Sequence, residues 1–247
     1  MIDLTNPSSL RIVTESVNGT IITDEFIGTD PESKFVLQAA LGMSGSSSYL
    51  LSQKNLVVEG VDDYWLLTEI SNILKRNSKE GLESEIFITP SGGSSEVVYI
   101  STIMIGQKLD VFSLFDEDDA GRIAKDKLVK NWLLKYNNST SKAMTISEML
   151  GLENDFAIED LLTEKFYIEK VKQTYPKIAK EKLKLLGADL LVNRVERALE
   201  EFEIKFNKGS VANLIRRELL NAEISYLPQE TIDNAEKIFK KINEVLK

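Results

Sequence analysis

Asn55-Leu56-Val57-Val58-Glu59-Gly60-Val61-Asp62-Asp63 and Asp110-Val111-Phe112-Ser113-Leu114-Phe115-Asp116-Glu117-Asp118-Asp119-Ala120-Gly121 decide the fold. Each is a short apolar run that breaks near a Gly and leaves carboxylates at its end. Such a run, bounded by turn residues, reads as a strand buried on both faces. Carboxylates gathered in one crevice repel one another unless a cation joins them. Oxygen ligands of this kind suit Mg²⁺ and phosphate chemistry.

The segments around these runs repeat the pattern. A helix is predicted over 64–76, then a second strand over 85–89 that ends in Pro90-Ser91-Gly92-Gly93. A helix over 94–106 follows, with Ser94 as its N-cap. The third strand is 110–115, and a helix over 120–136 comes after it. Strand–helix alternation with short apolar strands predicts an α/β fold, a parallel sheet flanked by helices. The ligand crevice of such a sheet lies beyond the carboxyl ends of its strands. Both acidic clusters occupy that edge.

Upstream, residues 10–23 alternate around Asn18-Gly19, a hairpin signal. Asp30-Pro31-Glu32-Ser33 reads as the start of a helix over 34–41, stopped by Gly42, and 44–48 is a loop of small residues. Downstream, Asn137-Asn138-Ser139-Thr140-Ser141 is a linker by composition. Helices are expected beyond it at 145–151, 157–165, 167–186, 188–206, 209–221 and 230–246. The chain therefore divides into an N-terminal extension (1–50), an α/β unit (51–137) and an additional C-terminal helical region (138–247). The hairpin has no core of its own and reads as the end of a preceding domain or linker.

Composition removes many chemistries. The 247 residues contain no Cys and no His. That excludes disulfides, thiolate nucleophiles, Cys-ligated zinc, the Ser-His-Asp triad and imidazole acid–base work. Catalysis would rest on carboxylates, Lys, Arg, Tyr, Ser or a hard metal held by oxygen. No Gly-x-x-x-x-Gly-Lys-[Ser/Thr] occurs, so the chain contains no Walker A loop and no ATP site of that type is expected. There is no signal peptide pattern and no apolar run near the roughly 20 residues that span a bilayer, so no membrane contact and a cytoplasmic location are expected. The net charge is −9, yet seven Lys against two Glu lie between Lys165 and Lys184. That run reads either as a basic stripe for nucleic acid or as a solvated helix face.

Glu59 and Asp63 are four apart, and both can face one crevice if the first ends a strand and the second begins a helix. Asp116 and Asp118 are two apart on an extended segment, so they point to one side. Two such pairs suit two Mg²⁺ ions about 4 Å apart, which clamp the attacking and leaving oxygens of a phosphodiester. Taken singly, an Asp-x-Asp is often only an Asx turn. Trp65, Trp132 and Ser113 read as packing residues. Arg122 reads as a surface residue, a neutraliser of the acids or a phosphate contact.

The segment from Leu56 to about Leu128 resembles the TOPRIM domain shared by topoisomerases, DnaG-type primases and OLD-family nucleases. The motifs that carry the resemblance are Val57-Val58-Glu59-Gly60 and Asp116-Glu117-Asp118-Asp119-Ala120-Gly121, over roughly a third of the chain. The approach Val36-Leu37-Gln38-Ala39-Ala40-Leu41-Gly42, the acid at Asp63, Ile158-Glu159-Asp160-Leu161-Leu162 and Asn207-Lys208-Gly209-Ser210-Val211-Ala212 look like the OLD (overcoming lysogenization defect) branch. That branch includes the nuclease of Gabija-type anti-phage defence systems.

The resemblance implies a TOPRIM, Rossmann-like catalytic domain over 51–137, with 138–247 completing the site. It implies a metal-dependent DNA endonuclease that uses two Mg²⁺ or Mn²⁺ ions and no zinc. Glu59, Asp63 and Glu159 or Asp160 would bind one ion, and Asp116 and Asp118 the other. Lys208 would stabilise charge in the transition state. Glu59, Asp116 and Lys208 form the catalytic set, and Lys165, Lys170, Lys172 and Lys177 of the Lys run would contact DNA. The family implies an ATPase domain in the full-length protein, of which this chain would be a piece cut out or a separately encoded tail. Homo-oligomers would form through that ATPase. Two alternatives stay open: a non-catalytic TOPRIM module that binds DNA or protein, and a primase- or topoisomerase-type activity. No Tyr sits in a recognisable nucleophile context, and a zinc module needs Cys.

Overall fold

Leu56 and Val58 of the first acid-tipped strand face one hydrophobic cluster, and Val57 between them faces another. Phe112 and Leu114 divide from Val111 and Phe115 in the same way. This period of two, with apolar residues on both faces, is what a sheet covered by helices on both sides requires.

The computed structural model describes residues 12–16, 19–23, 52–134 and 141–247. Strands β1 (Ile12–Ser16) and β2 (Gly19–Thr23) form an antiparallel hairpin with Val13 opposite Ile22. The helix expected over 34–41, the loop over 44–48 and most of the linker over 137–141 lie outside the described residues.

The main sheet runs in the order β4-β3-β5-β6, all parallel. Its strands are β3 (Lys54–Val58), β4 (Ile86–Pro90), β5 (Asp110–Phe115) and β6 (Lys142–Thr145). Helix α1 (Val61–Arg76) follows β3, α2 (Ser94–Gly106) follows β4, and α3 (Asp119–Leu128) follows β5. Val129–Leu133 prolongs α3 as a π-helical turn. From β3 the chain leaves toward β4 on one side, and from β5 toward β6 on the other. The strand order therefore reverses between β3 and β5, where the ligand crevice of such a sheet opens.

Three local expectations change. α1 begins at Val61 rather than 64, directly after Gly60, which puts Asp63 in its first turn. Gly93, not Ser94, is the N-cap of α2. Beyond the linker the chain first adds β6 to the same sheet, a strand the composition of 137–145 did not suggest.

The C-terminal region packs on the β3–β5 face, and its apolar residues share one cluster with α1 and the sheet. It contains α4 (Ile146–Leu150), a 3-10 turn (Ile158–Leu162), α5 (Glu164–Thr174), α6 (Leu191–Glu200), α7 (Lys208–Leu219) and α8 (Gln229–Val245). The single helix expected over 167–186 stops at Thr174. Pro176 disfavours the helical conformation at Tyr175, and only a 3-10 turn over Pro176–Ile178 follows. The helix expected over 188–206 is shortened to Leu191–Glu200. α7 packs against α1 and α5, which carries its first residue, Lys208, to the sheet's carboxyl edge.

Candidate metal centre

Glu59 is the residue after β3, and its carboxylate turns toward β5. Glu59 Oε1 accepts the backbone N–H of Asp116 at 3.1 Å. The loop after β4 fixes the backbone beneath it. Ser91 N–H donates to Val58 O (3.0 Å), Gly92 N–H donates to Glu59 O (2.7 Å), and the Ser91 hydroxyl donates to Val58 O (2.9 Å). Gly92, at φ +114°, adopts a backbone conformation that a side chain would disfavour. Ser91-Gly92 thus serves as the clasp of the Glu59 turn.

Asp63 is buried in the first turn of α1, and one of its oxygens accepts the Gly60 N–H at 2.7 Å. The other, Oδ1, is buried with no hydrogen-bond partner. Asp116 follows β5 and lines a narrow crevice with Glu59, Asp63, Val58, Ile146 and Ile158. Asp118 is the N-cap of α3, where its Oδ1 accepts the Gly121 N–H at 2.7 Å, and its charge bears on Glu59.

The 3-10 turn resolves the neighbouring acids. Asp160 accepts the N–H of Ala157 (3.0 Å) and of Leu191 (3.3 Å), so both its oxygens serve the backbone. Glu159 is fully buried and points the other way, with Oε1 2.7 Å from Lys208 Nζ. Its Oε2 has no hydrogen-bond partner. Lys208 is held in place by the N-cap before it. The Asn207 side chain accepts the Ser210 N–H at 3.0 Å, and the Asn207 N–H donates to the Tyr175 hydroxyl at 2.8 Å. A Cβ on Gly209 would lie 3.7 Å from Asp62 Oδ1, so the start of α7 closes on the start of α1.

The electrostatics are those of crowded, poorly hydrated acids. Burial, then the charge of Glu159, pushes the Asp63 carboxyl up to about 7. Burial, then Asp63 and Glu159, holds Asp116 well above the carboxylate range. Burial raises Glu59 against the opposing Asp116 N–H, and raises Asp62 against Lys208. Burial also pushes Asp160 up to about 6. Burial works against the Lys208 ammonium, but Glu159, Asp63 and Asp116 overcome it and hold Lys208 above its ordinary value.

Two side chains outside the expected site set stand here. Tyr167 is buried with an unpartnered hydroxyl, which burial and then the charge of Glu159 hold above its ordinary range. Asp62 faces Lys208 and Gly209. The packing of α1, α5 and α7 brings both in. Glu117, Asp119 and Asp155, in contrast, are all bound by Arg122 at 3.1, 2.7 and 2.9 Å. Ser113 packs against α2, where its hydroxyl meets that of Ser101 at 2.7 Å. Trp132 is fully buried, and Trp65 is half-buried with Arg216 stacked on its ring at 5.2 Å.

The expected DNA-contacting lysines separate. Lys165 and Lys177 are exposed and Lys172 is half-exposed. Lys170 is only 3% exposed; its ammonium lies 3.0 Å from Glu218 and over the rings of Phe166 and Tyr226. It is a packing residue, not a surface contact.

Donor chemistry decides what the centre can hold. Its ligands are carboxylates alone, and buried oxygens of Asp63 and Glu159 lack partners, so they fit a hard divalent cation. Among the described residues, no three acids stand close enough together to hold an ion without rearrangement. Fold and site together define a Rossmann-like α/β protein with an acidic crevice at its topological switch point. No protein-family model and no curated protein matches the chain. Among the described residues, no helix is long and apolar enough to cross a membrane.

Proposed function

We propose that the protein is a Mg²⁺- or Mn²⁺-dependent DNA endonuclease, the nuclease portion of a TOPRIM protein of the OLD type. One observation carries the reading. Glu59, Asp63 and Asp116, from two separated segments, line one crevice, and the Glu159–Lys208 ion pair acts on it through charge. A divalent cation bound there would supply a polarised water and charge neutralisation for phosphodiester hydrolysis.

The protein's own groups perform the remaining work. Glu59 and Asp116 hold the crevice at the ends of β3 and β5, tied by the Asp116 N–H. Asp63 and Glu159 offer unpartnered oxygens. Lys208 supplies positive charge for the phosphate as negative charge develops on it. Asp160, both oxygens accepting backbone N–H groups, ties the 3-10 turn that carries Glu159 to the start of α6.

Plasmid nicking in Mg²⁺ or Mn²⁺ tests the proposal, with wild type compared with Glu59→Ala and Asp116→Ala. Wild type should nick and both variants should lose activity. Equal nicking by all three would point to a contaminant and reject the site. The Lys208–Glu159 pair favours one second reading, a non-catalytic TOPRIM module in which Lys208 serves as permanent counter-ion to the acids. Absence of both nicking and Mn²⁺ binding would select it.

A further inference from the structure

We propose that Lys208 is a built-in counter-ion that occupies the cation position of the acid cluster. On this view it must withdraw from Glu159 before the carboxylates take up a divalent cation. The inference rests on the metal-centre reading above and adds an ordered exchange of one positive charge for another.

Four observations support it. First, Lys208 Nζ lies 2.7 Å from Glu159 Oε1, on a residue with no exposed surface. A buried carboxylate beside two other acids is stable only when paired. Second, the same ammonium is held by the fields of Asp63 and Asp116, and it bears on Glu59 and Asp62 as well. Its charge thus acts on several acids at once, although its one ion pair is with Glu159. Third, among the described residues no three acids stand close enough together to hold an ion, and Asp63 Oδ1 and Glu159 Oε2 are buried without hydrogen-bond partners. Fourth, Lys208 is the first residue of α7, where the helix dipole disfavours a cation. The acids hold it inward against that dipole.

Lys208 also has an exit. Its side chain is 36% exposed, and its four-carbon stem is flexible. The Asn207 cap and the Tyr175 hydroxyl secure the backbone, so the ammonium can swing outward while α7 stays in place.

The test uses Mn²⁺ alone as probe, with two readouts. Mn²⁺ affinity, followed by electron paramagnetic resonance, should tighten about tenfold or more in Lys208→Met, because one buried positive charge no longer competes. Circular dichroism in EDTA checks that this variant folds. The second readout needs no variant: acetic anhydride labelling of the wild-type protein, read by mass spectrometry. Lys208 should label slowly in EDTA and at least severalfold faster with saturating Mn²⁺. Mn²⁺ binding with unchanged Lys208 reactivity, or with equal affinity in both proteins, would overturn the exchange and leave the metal centre standing. Absence of Mn²⁺ binding in both would overturn the metal centre and the exchange together.

Discussion

The Glu59 carboxylate accepts the backbone N–H of Asp116 at 3.1 Å, so the acid that ends β3 is fastened to the start of the loop after β5. The two motifs are thus one mechanical unit across the switch point. Glu59→Gln keeps an acceptor for that N–H and removes the charge. Glu59→Ala leaves the N–H unpaired at a cost of about 1–3 kcal/mol. Urea unfolding in EDTA should therefore place Gln near wild type and Ala below it, while both lose Mn²⁺ binding and nicking. Equal destabilisation by the two substitutions would show that the hydrogen bond does not secure the loop.

Gly121 closes the second motif for a steric reason. A Cβ at this position would lie 2.2 Å from the carbonyl oxygen of Asp116 and 3.3 Å from Asp118 Oδ1. The first distance is impossible without moving backbone. Gly121→Ala should cost about 1–3 kcal/mol as an overpacked site, and it should weaken Mn²⁺ binding because Asp116 and Asp118 shift together. Differential scanning calorimetry and a Mn²⁺ titration check the two effects. An Ala variant with wild-type Tm and affinity would refute the close approach.

The sheet was legible because its two central strands are buried on both faces, so Leu56–Val58 and Val111–Phe115, the latter interrupted only by Ser113, stand out as apolar runs. β6 was hidden. Lys142 is exposed and only Ala143 and Thr145 are buried, so four residues beside a polar stretch carry no such signal. Glu59, Asp63 and Asp116 were legible because each stands at or just beyond the end of a strand. The partner of Lys208 was not, since Glu159 lies 49 positions earlier in the chain and meets it only through tertiary packing. Glu159 and Asp160 could not be told apart by spacing, because adjacent residues of a helix point roughly 100° apart. The backbone N–H groups that claim Asp160 come from Ala157 and the distant Leu191.

Stability should depend on pH with a sign opposite to that of ordinary salt-bridged acids. The Asp63 carboxyl is pushed up to about 7 in the folded protein, against about 4 in an unfolded chain. The folded state therefore holds a proton that the unfolded chain has already released. Its contribution is fully present below about pH 4 and is lost as pH rises through 7. Asp116, Glu59 and Asp160 shift in the same direction. In EDTA the Tm should fall between pH 5 and pH 8. Asp63→Asn should flatten the slope, since an amide still accepts the Gly60 N–H and does not titrate. Saturating Mn²⁺ should offset the fall at high pH, where deprotonated ligands bind it best. A Tm that rises with pH in EDTA would contradict the buried, crowded carboxylates.

Tyr167 supplies a control on the same region. Its hydroxyl is buried without a partner, next to the field of Glu159. Removing an unsatisfied buried polar group is neutral or stabilising, whereas removing a bonded one costs about 1 kcal/mol. Tyr167→Phe should therefore leave chemical-denaturation stability equal or higher. A loss would reveal a hydrogen bond to the centre through this hydroxyl.

The lysines between 165 and 184 divide into two experiments. Lys170 is enclosed by Glu218, Phe166 and Tyr226, and the Tyr226 hydroxyl donates to Glu218 at 2.6 Å. Lys170→Met breaks this group, and with Glu218 partly solvated the cost should be about 1–3 kcal/mol. DNA affinity should not change once the variant is folded. Lys165, Lys172 and Lys177 reach solvent; under the proposed DNA contact, each Lys→Gln change should lower affinity and reduce the slope of log K against log salt by about one for every phosphate no longer neutralised. Fluorescence anisotropy on a short duplex over a salt series measures both quantities. A lower slope for Lys170→Met, with the three surface variants unchanged, would reverse the assignment and place the DNA on a different face.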